Sequence, residues 1–273
     1  MRKLLAVILT FVILCMLVGC DSSDYKKAVS LYENGEYLEA MKMFEALEDY
    51  EDSRDLLAKC RFNYAKELLA NNDYANARGE FEKLEPSEEV DQYLRLSAWG
   101  LVRDYLNEEG PIEEKDSQYD VEESTQVESV CVIDKRGKSV IVNIQSSEVI
   151  SYPILSAKQT TITNTSVSFD GTQLQAELEA KADITFKGTK GSSTFHNVGT
   201  CIWDIVSYEI DAPVEWEEYI YIDTNGAMDD TRNAPAFDRR VSMQRSIITA
   251  CLEKMLEDAD LGITMADLGF ANY

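Results

Sequence analysis

Two hydrophobic periods divide the chain. Over residues 24–110 apolar side chains recur every three or four positions, the spacing that gives a helix one buried stripe. From residue 127 they alternate with polar ones, the spacing of a strand with one face in a core. The alternation runs longest at Leu174, Ala176, Leu178, Ala180, Ala182, Ile184 and Phe186, interleaved with Gln173, Gln175, Glu177, Glu179, Lys181, Asp183 and Thr185. Ala, Leu and Glu favour a helix locally, yet an unbroken period of two over this length predicts a strand with one apolar and one wet face. A helical period returns from about Asp238 to Asp260. There Val241, Ile247, Ile248, Cys251, Leu252, Met255, Leu256 and Ala259 form a stripe opposite Arg239, Arg245, Glu253, Lys254 and Glu257. The fold class predicted is α+β: an all-α stack of helical hairpins, then a curved antiparallel β-sheet packed against a long C-terminal helix.

Turn chemistry separates the strands. Val127 to Lys135 and Lys138 to Gln145 flank Arg136-Gly137, and after a loop containing Pro153, Thr160 to Phe169 and Thr172 to Lys187 flank Asp170-Gly171. Thr194 to Ile210 and Val214 to Asp223 add two strands, in which Trp203, Tyr208, Trp216 and Tyr219 read as packing residues. Strands this long are expected to twist and curve. Gly110-Pro111 stops the last N-terminal helix. Residues 111–126, acidic and nearly without apolar periodicity, read as a linker between a helical domain at 24–110 and a sheet-plus-helix domain at 127–273. Gly262 ends the final helix, Thr264 caps a last turn, and Leu268, Phe270 and Tyr273 suggest a C-terminus packed onto the fold.

The helical half contains an internal repeat. Ala28 to Leu47 and Ala65 to Leu84 align without a gap at an offset of 37, matching Ala28 with Ala65, Leu31 with Leu68, Tyr37 with Tyr74, Ala40 with Ala77, Phe44 with Phe81, and Leu47 with Leu84. Asn34-Gly35 and Asn71-Asn72 supply the turns. The pattern A-x-x-L-x-x-x-G-x-Y-x-x-A-x-x-x-F-x-x-L resembles the tetratricopeptide repeat, which implies stacked helical hairpins. Asn72 replaces the turn glycine of the second unit, Asp24 and Arg61 stand where an early tryptophan is usual, and no proline closes either unit. The offset of 37 implies a longer connection over Glu48 to Ser53, with Asp52 or Ser53 capping the next helix. A fifth helix from about Glu88 to Glu108 is expected to cap the stack. The resemblance would place Tyr25, Val29, Tyr32, Phe62, Lys66 and Leu69 on the inner face of a groove, with a peptide or partner helix as ligand.

The start of the chain has a different pattern. Arg2 and Lys3 precede an apolar run from Leu4 to Val18, broken only by Thr10. As a helix this run would reach roughly 22 Å, short of the ~30 Å a resident membrane span needs, so it reads as a secretory signal over residues 1–19. It ends in Leu17-Val18-Gly19-Cys20, which resembles the lipobox of bacterial lipoproteins. That resemblance implies cleavage before Cys20, a diacylglyceryl thioether on its sulfur, and residues 20–23 as a lipid-anchored N-terminus. Two or three acyl chains, at about 0.8 kcal/mol per buried CH₂, hold a protein stably at a membrane.

Charge and cysteine content narrow the partners. Loss of Arg2 and Lys3 with the signal takes the formal charge from −24 to −26, a surface that repels nucleic acid. The best local basic group, Arg239-Arg240 with Arg245, is only three charges, and no nucleic-acid partner is expected. With Cys15 removed and Cys20 acylated, Cys60, Cys131, Cys201 and Cys251 remain; each lies at an apolar position and reads as a buried thiol. A Cys131 to Cys201 bridge between strands is the exception considered.

Catalytic signatures are missing. His196 is the only histidine, in a predicted strand, and no G-x-S-x-G, S-x-x-K or P-loop motif occurs. Asp223 to Asp230 departs from the calcium-loop spacing and reads as a turn at Asn225-Gly226. No cofactor, metal or catalytic residue is expected. These features point to a non-catalytic lipoprotein on the extracytoplasmic face of the cell membrane. It is held there by the lipid on Cys20 and binds an unknown envelope protein or peptide. Two alternatives are a small-ligand carrier with its pocket between sheet and last helix, and an acidic-dyad hydrolase of envelope polymers.

Overall fold

Residues matched by the 37-residue offset occupy matching places in the fold. A computed structural model describes residues 21–121, 124–152, 157–169, 173–188, 191–205, 210–217 and 234–270. Cys20 and its leader, the Asp170-Gly171 turn, the Asp223 to Asp230 loop and Tyr273 lie outside these. The chain separates into two compact units, Met1–Gly100 and Leu101–Tyr273.

The first unit is built from helical hairpins: α1 (21–33) with α2 (Tyr37–Leu47), then α3 (Ser53–Ala70) with α4 (Tyr74–Phe81), followed by the start of α5 (Glu88–Glu109). Ala28 and Ala65, Ala40 and Ala77, and Phe44 and Phe81 are all fully buried, because small residues let paired helices approach and the phenylalanine fills the groove they leave. The two turns use the same hydrogen bonds. Gly35 and Glu36 amides donate to Tyr32 and Leu31 carbonyls at 3.1 and 2.9 Å, and Asn72 and Asp73 amides to Leu69 and Leu68 at 3.1 and 2.9 Å. Gly35 has φ +81° and Asn72 +62°, so asparagine replaces glycine where the left-handed region is required and where it is tolerated best after glycine.

Arg61 reaches Glu45 of α2 at 2.6 Å and Glu80 of α4 at 3.8 Å, tying the two hairpins together with its guanidinium. Asp52 does occupy the N-cap of α3, but contrary to the sequence reading its side chain makes no capping bond there; its carboxylate accepts the Tyr25 hydroxyl instead. Ser53 is inside the helix and buried. Tyr93 of α5 stacks on Phe81 with ring centroids 5.1 Å apart, closing the second hairpin as the fifth helix was expected to do.

The second unit is an open seven-stranded antiparallel meander in sequence order: β1 (Ile112–Asp120), β2 (Thr125–Arg136), β3 (Ser139–Tyr152), β4 (Ala157–Phe169), β5 (Leu174–Gly188), β6 (Gly191–Asp204) and β7 (Ile210–Glu217), followed by α6 (Ala234–Ala259). Residues 112–120, expected in the linker 111–126, are therefore the edge strand, with Ile112 opposite Ile133 and Asp120 opposite Thr125. Backbone pairing needs no apolar alternation, and an acidic edge strand shows none. The expected strand from Thr194 to Ile210 is likewise divided, with β6 ending at Asp204 and β7 starting at Ile210 across a register shift between Thr200 and Ile202.

Register sorts the inner face into rows. Ile133, Val142, Val167, Ala176 and Trp203 lie side by side across five strands and are buried. Two rows further along, Ser129, Ser146 and Thr163 are buried too, though polar. Leu174, Ala176, Leu178 and Ala180 face inward as the period-two reading requires. Below α6, Gly262 turns at φ +65° and Thr264 and Asp267 cap each other, with the Thr264 amide donating to the Asp267 carboxylate at 2.7 Å. Leu268 and Phe270 are buried, as the sequence suggests.

Two helical glycines give opposite expectations. A Cβ on Gly79 meets nothing within 4 Å, so Gly79→Ala should stabilise the protein by about 1 kcal/mol through helix propensity. A Cβ on Gly100 would lie 2.2 Å from the Tyr74 ring, so Gly100→Ala should destabilise it by about 1–3 kcal/mol despite the same propensity gain. Urea denaturation of the two variants checks both signs.

Candidate functional site

The six residues expected to line a repeat groove are divided between two clusters. Tyr25, Val29 and Tyr32 are half-buried against the first hairpin, where the Tyr25 ring meets Phe44 and Tyr50 at centroid distances of 6.2 and 5.7 Å. The bond to Asp52 and its negative charge push the Tyr25 phenol up to about 12. Phe62 and Leu69 pack against the second hairpin, and the exposed Lys66 ammonium sits 5.4 Å from the ring centroids of both Phe62 and Tyr93. Packing within each hairpin already engages most of this surface.

A cleft of about 540 Å³ lies in the second unit, between the inner face of β1, β2 and β3 and one side of α6. Glu114, Asp116, Gln118 and Asp120 line it from β1, where alternation aims every second side chain to the same face. Register sets Glu114 opposite Cys131, Asp116 opposite Ser129, and Gln118 opposite Val127. Thr125, Val127 and Ser129 of β2 and the buried Glu148 of β3 continue the floor. Met243, Ile247, Ala250 and Lys254, spaced three or four apart, form the helical wall together with Cys251.

The cleft joins an apolar wall to an acidic rim. Four carboxylates, Glu114, Asp116, Asp120 and Glu148, line it against two lysines, Lys115 and Lys254. Both lysines are already paired, Lys254 with Glu114 and Lys115 with Glu113 at 2.8 Å, and each bond raises the ammonium pKa. Asp116 accepts the Ser117 amide and the Gln118 side-chain amide, both at 2.8 Å. Among the described residues no group of three His, Cys, Asp or Glu side chains could hold a metal ion.

Buried polar contacts set where the helix lies. Gln244 of α6 is fully buried, donating to the Ser146 hydroxyl at 2.6 Å and accepting from Thr165 at 3.0 Å. Arg245, read from the sequence as facing solvent, is also buried and cannot join a surface basic stripe. Cys131 and Cys251 are buried free thiols in hydrogen-bond contact, and Cys60 is a third, its thiol pushed up to about 11 by burial. The considered Cys131 to Cys201 bridge is overturned, because Cys131 is free and three strands, β3 to β5, stand between β2 and β6. At ~4.8 Å per strand the two backbones are roughly 19 Å apart in the sheet, far beyond the ~7 Å limit for a disulfide. His196 is placed on β6 opposite Asp183.

Sequence reasoning missed the acidic floor of β1 and the buried Gln244. A usable signal existed for the second: Gln244 falls three positions after Val241 and four before Ile248, inside the apolar stripe. Gln244→Leu should destabilise the protein by about 2–3 kcal/mol, since two buried hydroxyls lose their partner. Adding Ser146→Ala and Thr165→Val should recover most of that loss, measured by urea denaturation of the single and triple variants. Comparison with protein-family models, curated protein sequences and solved structures finds no match to this chain.

Proposed function

We propose that the protein is a non-catalytic lipoprotein, tethered through an acylated Cys20 to the extracytoplasmic face of the cell membrane. Its second unit binds a cationic, amphipathic segment of an envelope protein or peptide. The observation that carries the binding reading is the cleft beside α6: about 540 Å³, within the ~300–1,000 Å³ usual for ligand sites, with an apolar helical wall and an acidic floor. An apolar side chain would bury against Met243, Ile247 and Ala250 while an ammonium or guanidinium meets Asp116 or Asp120. The strong negative charge of the whole chain would steer such a ligand inward. The lipobox-like Leu17-Val18-Gly19-Cys20 supports the tether, and the tetratricopeptide-like hairpins supply a spacer or second docking surface.

The same volume favours, as a second reading, carriage of a small amphipathic amine. An acidic-dyad hydrolase draws less support, since Glu114 is tied to Lys254 and Asp116 to Ser117 and Gln118.

Cys20→Ser should move the protein from the membrane fraction to the soluble one; retention in the membrane would refute the tether. A photo-crosslinking residue in place of Ile247, in intact cells, should capture a protein or peptide with a basic amphipathic segment. With purified protein, a synthetic peptide of alternating Lys and Leu should bind, and Asp116→Lys with Asp120→Lys should weaken it about tenfold or more. Unchanged affinity would remove the cleft from this role, whereas displacement of the peptide by dodecylamine would move weight to the carrier.

A further inference from the structure

Cysteine placement adds a covalent possibility to this site. Cys131 points inward from β2, between Glu114 of β1 and Ile144 of β3, and is 1% exposed. Cys251 projects from α6, is 9% exposed, and forms part of the cleft wall. Glu114, the register partner of Cys131, is ion-paired to Lys254, one helical turn after Cys251, which brings the two thiols, 120 residues apart in sequence, together at the junction of helix and sheet. We propose that Cys131 and Cys251 are a dithiol–disulfide pair that fastens α6 to β2 beside the cleft. The oxidant is a disulfide, carried by a thiol oxidoreductase or a low-molecular-weight thiol.

The geometry gives the two sulfurs different tasks. Beside each other, the two thiols shift in opposite directions, Cys131 up and Cys251 down, which favours the thiolate at Cys251 and the protonated form at Cys131. Cys251 is also the sulfur an oxidant reaches, since it borders the cleft. Its thiolate attacks one sulfur of the incoming disulfide, forming a mixed disulfide and releasing the other half as thiolate. Cys131 then displaces the remaining half, passing its proton to that leaving sulfur. The thiolate released first takes up the proton that Cys251 lost, so the protein gives up two protons and two electrons and the incoming disulfide becomes two thiols. Among the described residues Cys60 has no partner thiol and does not line the cleft, and burial raises its pKa, so it serves as the internal control.

A closed bridge would hold the helical wall at one fixed distance from the floor, and a reduced pair would leave that spacing to packing and hydrogen bonds alone. This holds whatever occupies the cleft, so it stands or falls separately from the ligand proposed above.

The test is to equilibrate the purified, reduced protein with oxidised glutathione, block remaining thiols with N-ethylmaleimide, digest with trypsin and identify linked peptides. The expected product joins residues 116–135 to residues 246–254, with a mass about 2 Da below the sum of the two peptides, while Cys60 is recovered alkylated. Hydrogen exchange over residues 243–254 should slow about tenfold or more in the oxidised protein. Brief treatment of the reduced protein with N-ethylmaleimide should modify Cys251 at least about tenfold faster than Cys60. Cys251→Ser should abolish the linkage, and the wild-type mapping keeps the result readable if that variant folds poorly. Recovery of Cys131 and Cys251 both alkylated, or linkage of either to Cys201, overturns the proposal.

Discussion

One helix packs over β2 and β3 on the inner face of an open sheet, and the second unit depends on how that helix is seated. An antiparallel sheet can leave one face to water, but the buried rows through Ile133, Val142, Val167 and Ala176 need an apolar lid. Ile248, Leu252 and Met255 of α6 are among the most completely buried side chains of the protein, each adding roughly 1.5–3 kcal/mol by leaving water. Dispersion and hydrophobic burial do not by themselves choose one position of a helix on a sheet. Gln244 does, because its amide has to meet Ser146 and Thr165 together or leave polar atoms buried without partners.

The cleft follows from that seating. The inner face is apolar near the β2–β3 turn, at Ile133 and Val142, and becomes polar toward Ser129, Ser146 and Glu148. A helix lying across both regions packs closely on the first. Over the second, where β1 contributes Glu114, Asp116, Gln118 and Asp120, it encloses wet space instead of a core. Glu114 and Lys254 bridge the two walls by an ion pair, the lysine being more than half exposed, so the contact orients the rim more than it stabilises the fold. The thiol pair lies where the closely packed region gives way to the open one, with Cys131 one row from Ser129 on the same face of β2 and Cys251 one turn before Lys254 on α6.

In the helical unit the same physics acts through small residues. Fully buried alanines at the crossings, left-handed turns at Gly35 and Asn72, and an aromatic trio of Phe62, Phe81 and Tyr93 reproduce one hairpin twice and then close it with α5. Gly100 shows how close that closure is: the Tyr74 ring occupies the space a methyl group would need. Arg61 joins Glu45 and Glu80, and Asn72 stands where the first hairpin has Gly35 because its side chain tolerates a positive φ.

The sequence by itself determined the α+β class, the two hairpins with their turns, the inward face of β5, the amphipathic C-terminal helix and the packed-down Leu268 and Phe270. Each of these is written in a local period or a turn residue, and local periods survive folding when one face has to be buried. What it did not determine involved residues whose partners are distant in the chain. Ile112 to Asp120 has no apolar alternation, and only pairing with Thr125 to Ile133 makes it a strand. Asp52 was read as a cap from its neighbours, yet its carboxylate meets Tyr25, 27 residues away. Arg245 carries the charge of a surface residue, but the seating of α6 buries it. Cys131 could be matched with Cys201 from strand propensity alone, until strand order set them far apart and helix packing brought Cys251 into contact instead. Tertiary structure decided these because a cleft, an ion pair or a thiol contact depends on three-dimensional distance, which sequence spacing does not encode.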